Sequence, residues 1–277
     1  MLYEKWKSRS GHGSLAGHMG KGISWVGMLW KEGGWGGRLF SGIIGLLLLL
    51  SALYLGRSAA GYLSARDGSR RNVSGENVVV TDTRKCVVID AGHGGDDPGK
   101  VGINGALEKD INLEIANRVK FYLEANDIKV VMTRESDEGL YEPSASNKKV
   151  QDMKRRIALI EEEAPALTVS IHQNSYPEEY VHGAQVFYYT GSVQGQRLAE
   201  GIQKKLVESV DPENKRQVKA NDSYYLLKKT GVPIVIVECG FLSNSAEAEK
   251  LCTPEYQQRV AWAIHMGILE YMNENEK

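Results

Sequence analysis

Cys86-Val-Val-Ile-Asp-Ala-Gly-His-Gly-Gly95 reads as a short apolar strand that runs into a glycine-rich turn. The run Cys86–Asp90 is apolar on both faces, the pattern of a strand buried inside a sheet. Glycines on either side of His93 let the backbone come close to an ion. Gly92, Gly94, Gly95 and Gly99 also suggest a phosphate loop, but the Walker lysine and spacing are missing, so that motif fails.

The pattern repeats along the chain. Ile111, Ile115, Val119 and Leu123 recur at near-helical spacing and place Glu108 at the start of an amphipathic helix. Ile128–Thr133 reads as a strand and Val150–Glu163 as a helix with Ile157 and Ile160 inward. Leu167–His172 and Gly183–Tyr189 are further strands, Gln194–Val210 a helix, and Ile234–Glu238 the most apolar strand. Pro254 precedes a closing helix, Glu255–Met272. Alternation of this kind predicts an α/β fold: one domain over residues 85–277 with a mostly parallel sheet flanked by helices. No internal repeat and no second domain are seen after residue 85.

Ligands of such sheets bind beyond the carboxyl ends of the strands. His93, His172 and Glu238 all lie at or just past such ends, and Glu108 opens the first helix. Two imidazoles and one carboxylate suit a zinc site with an open position, the arrangement used for hydrolysis. A second carboxylate could then act as base. Glu108 by itself also reads as a first-turn glutamate favoured by the helix dipole. Glu238 is the sharper signal, because a carboxylate ending Ile-Val-Ile-Val is costly to bury unpaired.

Composition narrows the alternatives. The 277 residues carry a formal net charge of -1, which gives no electrostatic footprint for nucleic acid. Cys86, Cys239 and Cys252 form no CxxC pair, so a cysteine zinc site is excluded. Cys86 and Cys239 read as small core residues. Cys239 as a nucleophile is disfavoured, because its neighbour Glu238 points to the other face of the strand. His12, His18, His182 and His265 stand outside the motifs, with His265 structural or exposed on the last helix.

Residues 1–38 are rich in Gly, Ser, Trp and Lys and read as a disordered or interfacial basic leader, with Met19 and Met28 as alternative starts. Leu39–Gly56 carries no charge over 18 residues, the short end for a membrane-spanning helix and the long end for a signal-peptide core. Lys5, Lys7, Arg9, Lys21, Lys31 and Arg38 outnumber Glu4 and Glu32 before it, which places the N-terminus inside and the rest outside. Ser58-Ala59-Ala60 resembles a cleavage site. An uncleaved single-pass anchor in the cytoplasmic membrane is the favoured reading, and cleavage with secretion is the alternative. Residues 57–84 read as a linker.

Five motifs in order carry a family resemblance. They are His93-Gly-Gly, Leu107-Glu-Lys-Asp110, Thr133-Arg134, Ser170-Ile-His-Gln-Asn-Ser175 and Val237-Glu-Cys-Gly-Phe-Leu-Ser-Asn244. Together they resemble the zinc-dependent N-acetylmuramoyl-L-alanine amidases over about residues 85–274. The resemblance implies one zinc ion held by His93, Glu108 and His172, with Glu238 as catalytic carboxylate. It implies peptidoglycan as substrate and cleavage between N-acetylmuramic acid and L-alanine. Asn174 is a candidate substrate contact. Within the family, Gly183–Tyr189 and Tyr225-Leu-Leu-Lys228 resemble the spore-cortex enzymes, whose product feeds muramic-δ-lactam formation. Ala91 and Gln173 depart from the common pattern without removing a ligand. Only eleven positions separate His172 from Gly183, too few for the self-inhibiting helix of some relatives, so control is expected from expression, location or a partner such as an activator lipoprotein. The alternatives are a vegetative wall amidase and a non-catalytic wall-binding or activator protein.

Overall fold

The computed structural model of the chain describes residues 85–274. Expectations for the leader, the apolar run at 39–56, the cleavage point after Ala60 and the linker lie outside the described residues. Among the described residues, no helix is long and apolar enough to cross a membrane.

The elements follow in the order β1 (Cys86–Ala91), α1 (Glu108–Glu124), β2 (Lys129–Met132), α2 (Lys148–Glu163), β3 (Leu167–Asn174), β4 (Gln185–Tyr189), α3 (Val193–Ser209), β5 (Lys219–Asn221), α4 (Tyr225–Lys229), β6 (Ile234–Phe241), α5 (Ser245–Leu251) and α6 (Pro254–Glu274). One six-stranded sheet has the order β2-β1-β3-β6-β4-β5. The strands read from apolar runs all form, within a few residues of the expected bounds. The three elements without an expectation are the short β5, α4 and α5.

The sheet is mixed, which corrects the expectation of a mostly parallel one. β2, β1, β3 and β6 run parallel, but β4 pairs antiparallel with β6, and β5 then follows β4 in parallel. The cause is the link between β3 and β4. Residues 175–184 contain no helix, and a parallel return needs a crossover of about a dozen residues or more, usually helical. The chain therefore steps over the place β6 will fill and comes back down.

Strand alternation sorts side chains to the two faces. Val87, Ile89, Val169, Ile171, Val235, Val237 and Cys239 join the larger core, which α1, α3 and α6 cover. Val88, Ile234 and Ile236 join a smaller core with Ile160 of α2 and Leu226 and Leu227 of α4. Counting on by twos, Asp90, His172 and Glu238 leave their strands on this smaller side.

Candidate functional site

Strand register brings the expected residues together. His172 on β3 pairs directly with Glu238 on β6, and Asp90 pairs with Ser170. His93 arrives from the turn after β1 and Glu108 from the first turn of α1. One donor atom from each of His93, Glu108 and His172 lies within 4.8 Å of the others. Glu108 Oε1 is 3.2 Å from His93 Nε2 and 2.9 Å from His172 Nδ1. The two rings meet edge to face with centroids 5.0 Å apart.

Glu108 is buried and held from several directions. The amides of Lys100 and Gln173 donate to its two oxygens at 2.7 and 3.1 Å. Burial alone would raise its carboxyl, but hydrogen bonds and charge from His172 and His93 hold it far below the usual carboxylate range. At His172, burial pushes the imidazole down and the Glu108 carboxylate outweighs it, so the net direction is up. On the other side of His93, Nδ1 lies 3.0 Å from Asp97 Oδ2. A carboxylate on one ring nitrogen fixes the tautomer and leaves the other nitrogen as a lone-pair donor, the usual outer partner of a metal-binding histidine.

The turn that carries His93 is clamped. His93 itself has φ 63, a left-handed conformation that costs a non-glycine residue about 1–2 kcal/mol. Two buried arginines grip the carbonyls around it. Arg134 donates to the carbonyls of Ala91, Gly92 and Lys109 at 2.9, 3.1 and 2.7 Å. Arg156 donates to those of Ala91 and His93 at 2.8 and 2.6 Å. Arg156 also pairs with Asp90, which accepts from Thr133 and Ser170 as well. Burial would raise the Asp90 carboxyl, but the Arg156 charge and the Ser170 hydroxyl bring it down to about 2. Gly92 is needed for a close approach, since a Cβ there would lie 2.3 Å from the His172 ring.

Glu238 is 7% exposed. It lines a cavity of about 120 Å³ with His93, His172, Asp97, Tyr224 and Met153. Among the described residues its Oε2 has no hydrogen-bond partner, and its Oε1 lies 3.4 Å from the Tyr224 hydroxyl. Burial pushes the Glu238 carboxyl up to about 7, against the opposing pull of His172. An orphaned carboxylate oxygen beside two imidazoles and a second carboxylate is the donor chemistry that a zinc site and its base require.

Other expected residues fall elsewhere. Asn174, the last residue of β3 and past a register shift within the strand, is not among the residues lining the cavity. Its side-chain oxygen accepts from the Ser175 amide at 2.8 Å. Cys239 is fully buried in the larger core, where burial raises its thiol. No disulfide joins the cysteines. His265 is buried, with Nε2 3.0 Å from Asn126 Nδ2, and His182 is exposed. The sequence alone did not single out Asp97, Arg156 or Tyr224. The signal for Arg156 was available, because it lies one helical turn before Ile160 on the inward face of α2.

Residues 87–270 match the N-acetylmuramoyl-L-alanine amidase family. The germination-specific N-acetylmuramoyl-L-alanine amidase of Bacillus subtilis is 39% identical over 193 residues, 69% of this chain and 81% of that protein. LytC of the same organism is 34% identical over 198 residues, 71% of this chain but 36% of LytC. Among solved structures, the CwlD amidase of Clostridioides difficile, in complex with the GerS lipoprotein, aligns at 38% identity and a TM-score of 0.67, covering 69% of this chain and 100% of that one. With this likeness in sequence and fold, and with the five motifs gathered at one end of the sheet, the chain belongs to the N-acetylmuramoyl-L-alanine amidase family.

Proposed function

We propose that this peptidoglycan amidase works with one zinc ion held by His93, Glu108 and His172, and that Glu238 is its general base. The observation that carries the reading is the convergence of those three donors within 4.8 Å on a cavity lined by the buried Glu238. When bound, the zinc supplies Lewis acidity, polarising the scissile carbonyl and acidifying water. Glu238 takes the proton of the attacking water on a carboxylate oxygen and returns it to the leaving L-alanine nitrogen. Burial raises the Glu238 carboxyl, which makes it a stronger proton acceptor than an exposed carboxylate. Asp97 keeps His93 in one tautomer, and the paired arginines hold the turn that presents it. Asn174, two residues beyond His172, is proposed to meet the substrate outside the cavity.

The test is Glu238→Gln. Zinc is expected to stay bound at one per chain while cleavage of the muramyl–L-alanine amide is lost. Retained cleavage of purified peptidoglycan would sink the assignment, and a chain that binds the wall but takes up no zinc would favour the non-catalytic alternative.

We further propose that the enzyme acts on spore cortex, in the step that leads to muramic-δ-lactam. Likeness to the germination-specific amidase and to CwlD supports this reading over a vegetative role, although LytC is also similar. Deletion of the gene followed by cortex muropeptide analysis decides it, since unchanged muramic-δ-lactam removes the spore assignment. Anchoring of the catalytic domain outside the membrane by residues 39–56, and an accessory lipoprotein partner like that of CwlD, are part of the same proposal.

A further inference from the structure

β5 and α4 had no counterpart in the sequence reading, yet the turn between them reaches the site. Asn221 ends β5, and its side-chain oxygen accepts from the Tyr224 amide at 2.8 Å and from the Ser223 amide and hydroxyl at 2.8 and 3.0 Å. This knot fixes the residue that immediately precedes α4. The Tyr224 ring packs edge-on against Phe187 of β4, with centroids 5.5 Å apart. Its hydroxyl faces Glu238 Oε1 at 3.4 Å. Among the described residues it is the one hydrogen-bond donor to that carboxylate, whose Oε2 is buried without a partner.

We infer that Tyr224 is a positioning residue for the catalytic carboxylate: its hydroxyl engages one oxygen of Glu238, fixes the rotation of the group and reserves the other oxygen for the proton of the attacking water. The inference rests on Glu238 being the base. Three features favour it over simple packing. The phenol is tied at its backbone by Asn221 and at its ring by Phe187, so the hydroxyl is delivered to one place. A buried carboxylate left without any donor can rotate, and rotation moves the proton-accepting oxygen, so the Tyr224 hydroxyl is the contact that opposes it. The contact of 3.4 Å is longer than the usual hydroxyl–carboxylate hydrogen bond of about 2.7 Å, and such contacts in catalytic sites tighten when substrate binds.

The test compares Tyr224→Phe, Glu238→Asp and the double variant in the full chain loaded with zinc, on purified peptidoglycan. Tyr224→Phe keeps the ring against Phe187, so the fold and one zinc per chain are retained. A misplaced base is expected to lower kcat roughly 10-fold to 100-fold with KM little changed. Glu238→Asp draws the carboxylate back from the phenol, so adding Tyr224→Phe to it should cause no further loss. Unchanged kcat in Tyr224→Phe overturns the inference, as does an equal loss in both backgrounds or a rise in KM alone. If Glu238→Gln is itself active, it is the assignment of the base that fails.

Discussion

Arg156 Nη1 lies 2.6 Å from Asp90 Oδ1, with side chains only 2% and 1% exposed. The pair joins α2 to the end of β1 beneath the His93 turn, and the same guanidinium reaches the His93 carbonyl. A charge pair this deep is not evidence of net stabilisation by itself, because desolvation opposes the attraction. Its value lies in geometry, and its vulnerability in what is left when one partner goes.

Arg156→Ala is therefore expected to cost about 3–5 kcal/mol, the penalty for stranding one charge of a buried pair. Urea unfolding followed by circular dichroism measures it. Zinc affinity should fall in the same variant, because the His93 carbonyl loses the guanidinium that holds it. A loss under about 1 kcal/mol would mean that the Asp90 network re-pairs without the arginine.

Asp97→Ala separates orientation from folding. Asp97 is partly exposed and its carboxylate serves His93 and the Gly99 amide. Loss of such an outer carboxylate weakens metal binding by roughly 10-fold to 100-fold, and the melting temperature of the chelated protein should move little. Competition titration with a zinc indicator gives the first number and calorimetry the second. Zinc affinity equal to that of the unaltered chain would show that His93 needs no carboxylate partner.

Gly92→Ala tests the close approach of backbone to imidazole. The added methyl would sit 2.3–2.8 Å from atoms of the His172 ring, closer than packed atoms come, so the ring must leave its position. Zinc stoichiometry should drop well below one per chain and cleavage should be lost together with it. Full zinc loading in this variant would place the working ring elsewhere.

The chelated protein should lose stability as pH rises. Glu238 titrates at about 7 in the fold against an ordinary 4.5, so the folded chain holds a proton that the unfolded chain has released. That costs up to about 3 kcal/mol, appearing from pH 4.5 upward and complete above about 7. His172 is raised as well, and its contribution, present below the ordinary histidine value, is lost as pH rises through the folded one. Both groups give the same sign. Zinc reverses it, because metal needs deprotonated ligands and its stabilisation grows with pH. Thermal melts between pH 5 and 8 should fall for chelated protein, fall less for Glu238→Gln, and not fall for the zinc-loaded chain. A flat chelated profile refutes the linkage.

How much of this was legible depends on the element. β1, β3 and β6 announce themselves because strands covered on both faces must be apolar throughout. The direction of β4 is not written in its own residues; it follows from the short, helix-free link before it. β5 is three residues at a sheet edge and α4 a five-residue helix, so neither has the length to show a period. That His93, Glu108, His172 and Glu238 would lie near one another was legible because each sits where a strand or helix end meets a motif. Their supports were harder to read. Arg156 stands among charged neighbours, and its burial depends on Asp90, which only the fold brings near. Tyr224 lies 14 positions from Glu238 in the chain and meets it through a turn that has no apolar signal.

The reversal of β4 has one more effect. It leaves β6 bonded on both flanks, and at Glu238 those neighbours are His172 of β3 and Gln185 of β4. All eight residues of the strand are buried. The backbone that carries Glu238, the proposed base, cannot shift without opening two ladders, whereas the residues at 222–225 follow a three-residue edge strand with one neighbour. The enzyme is thus divided into a stiff frame and a compliant margin. Natural variation that tunes turnover while sparing the fold should collect at that margin, and variation within β6 should chiefly be lost with the protein.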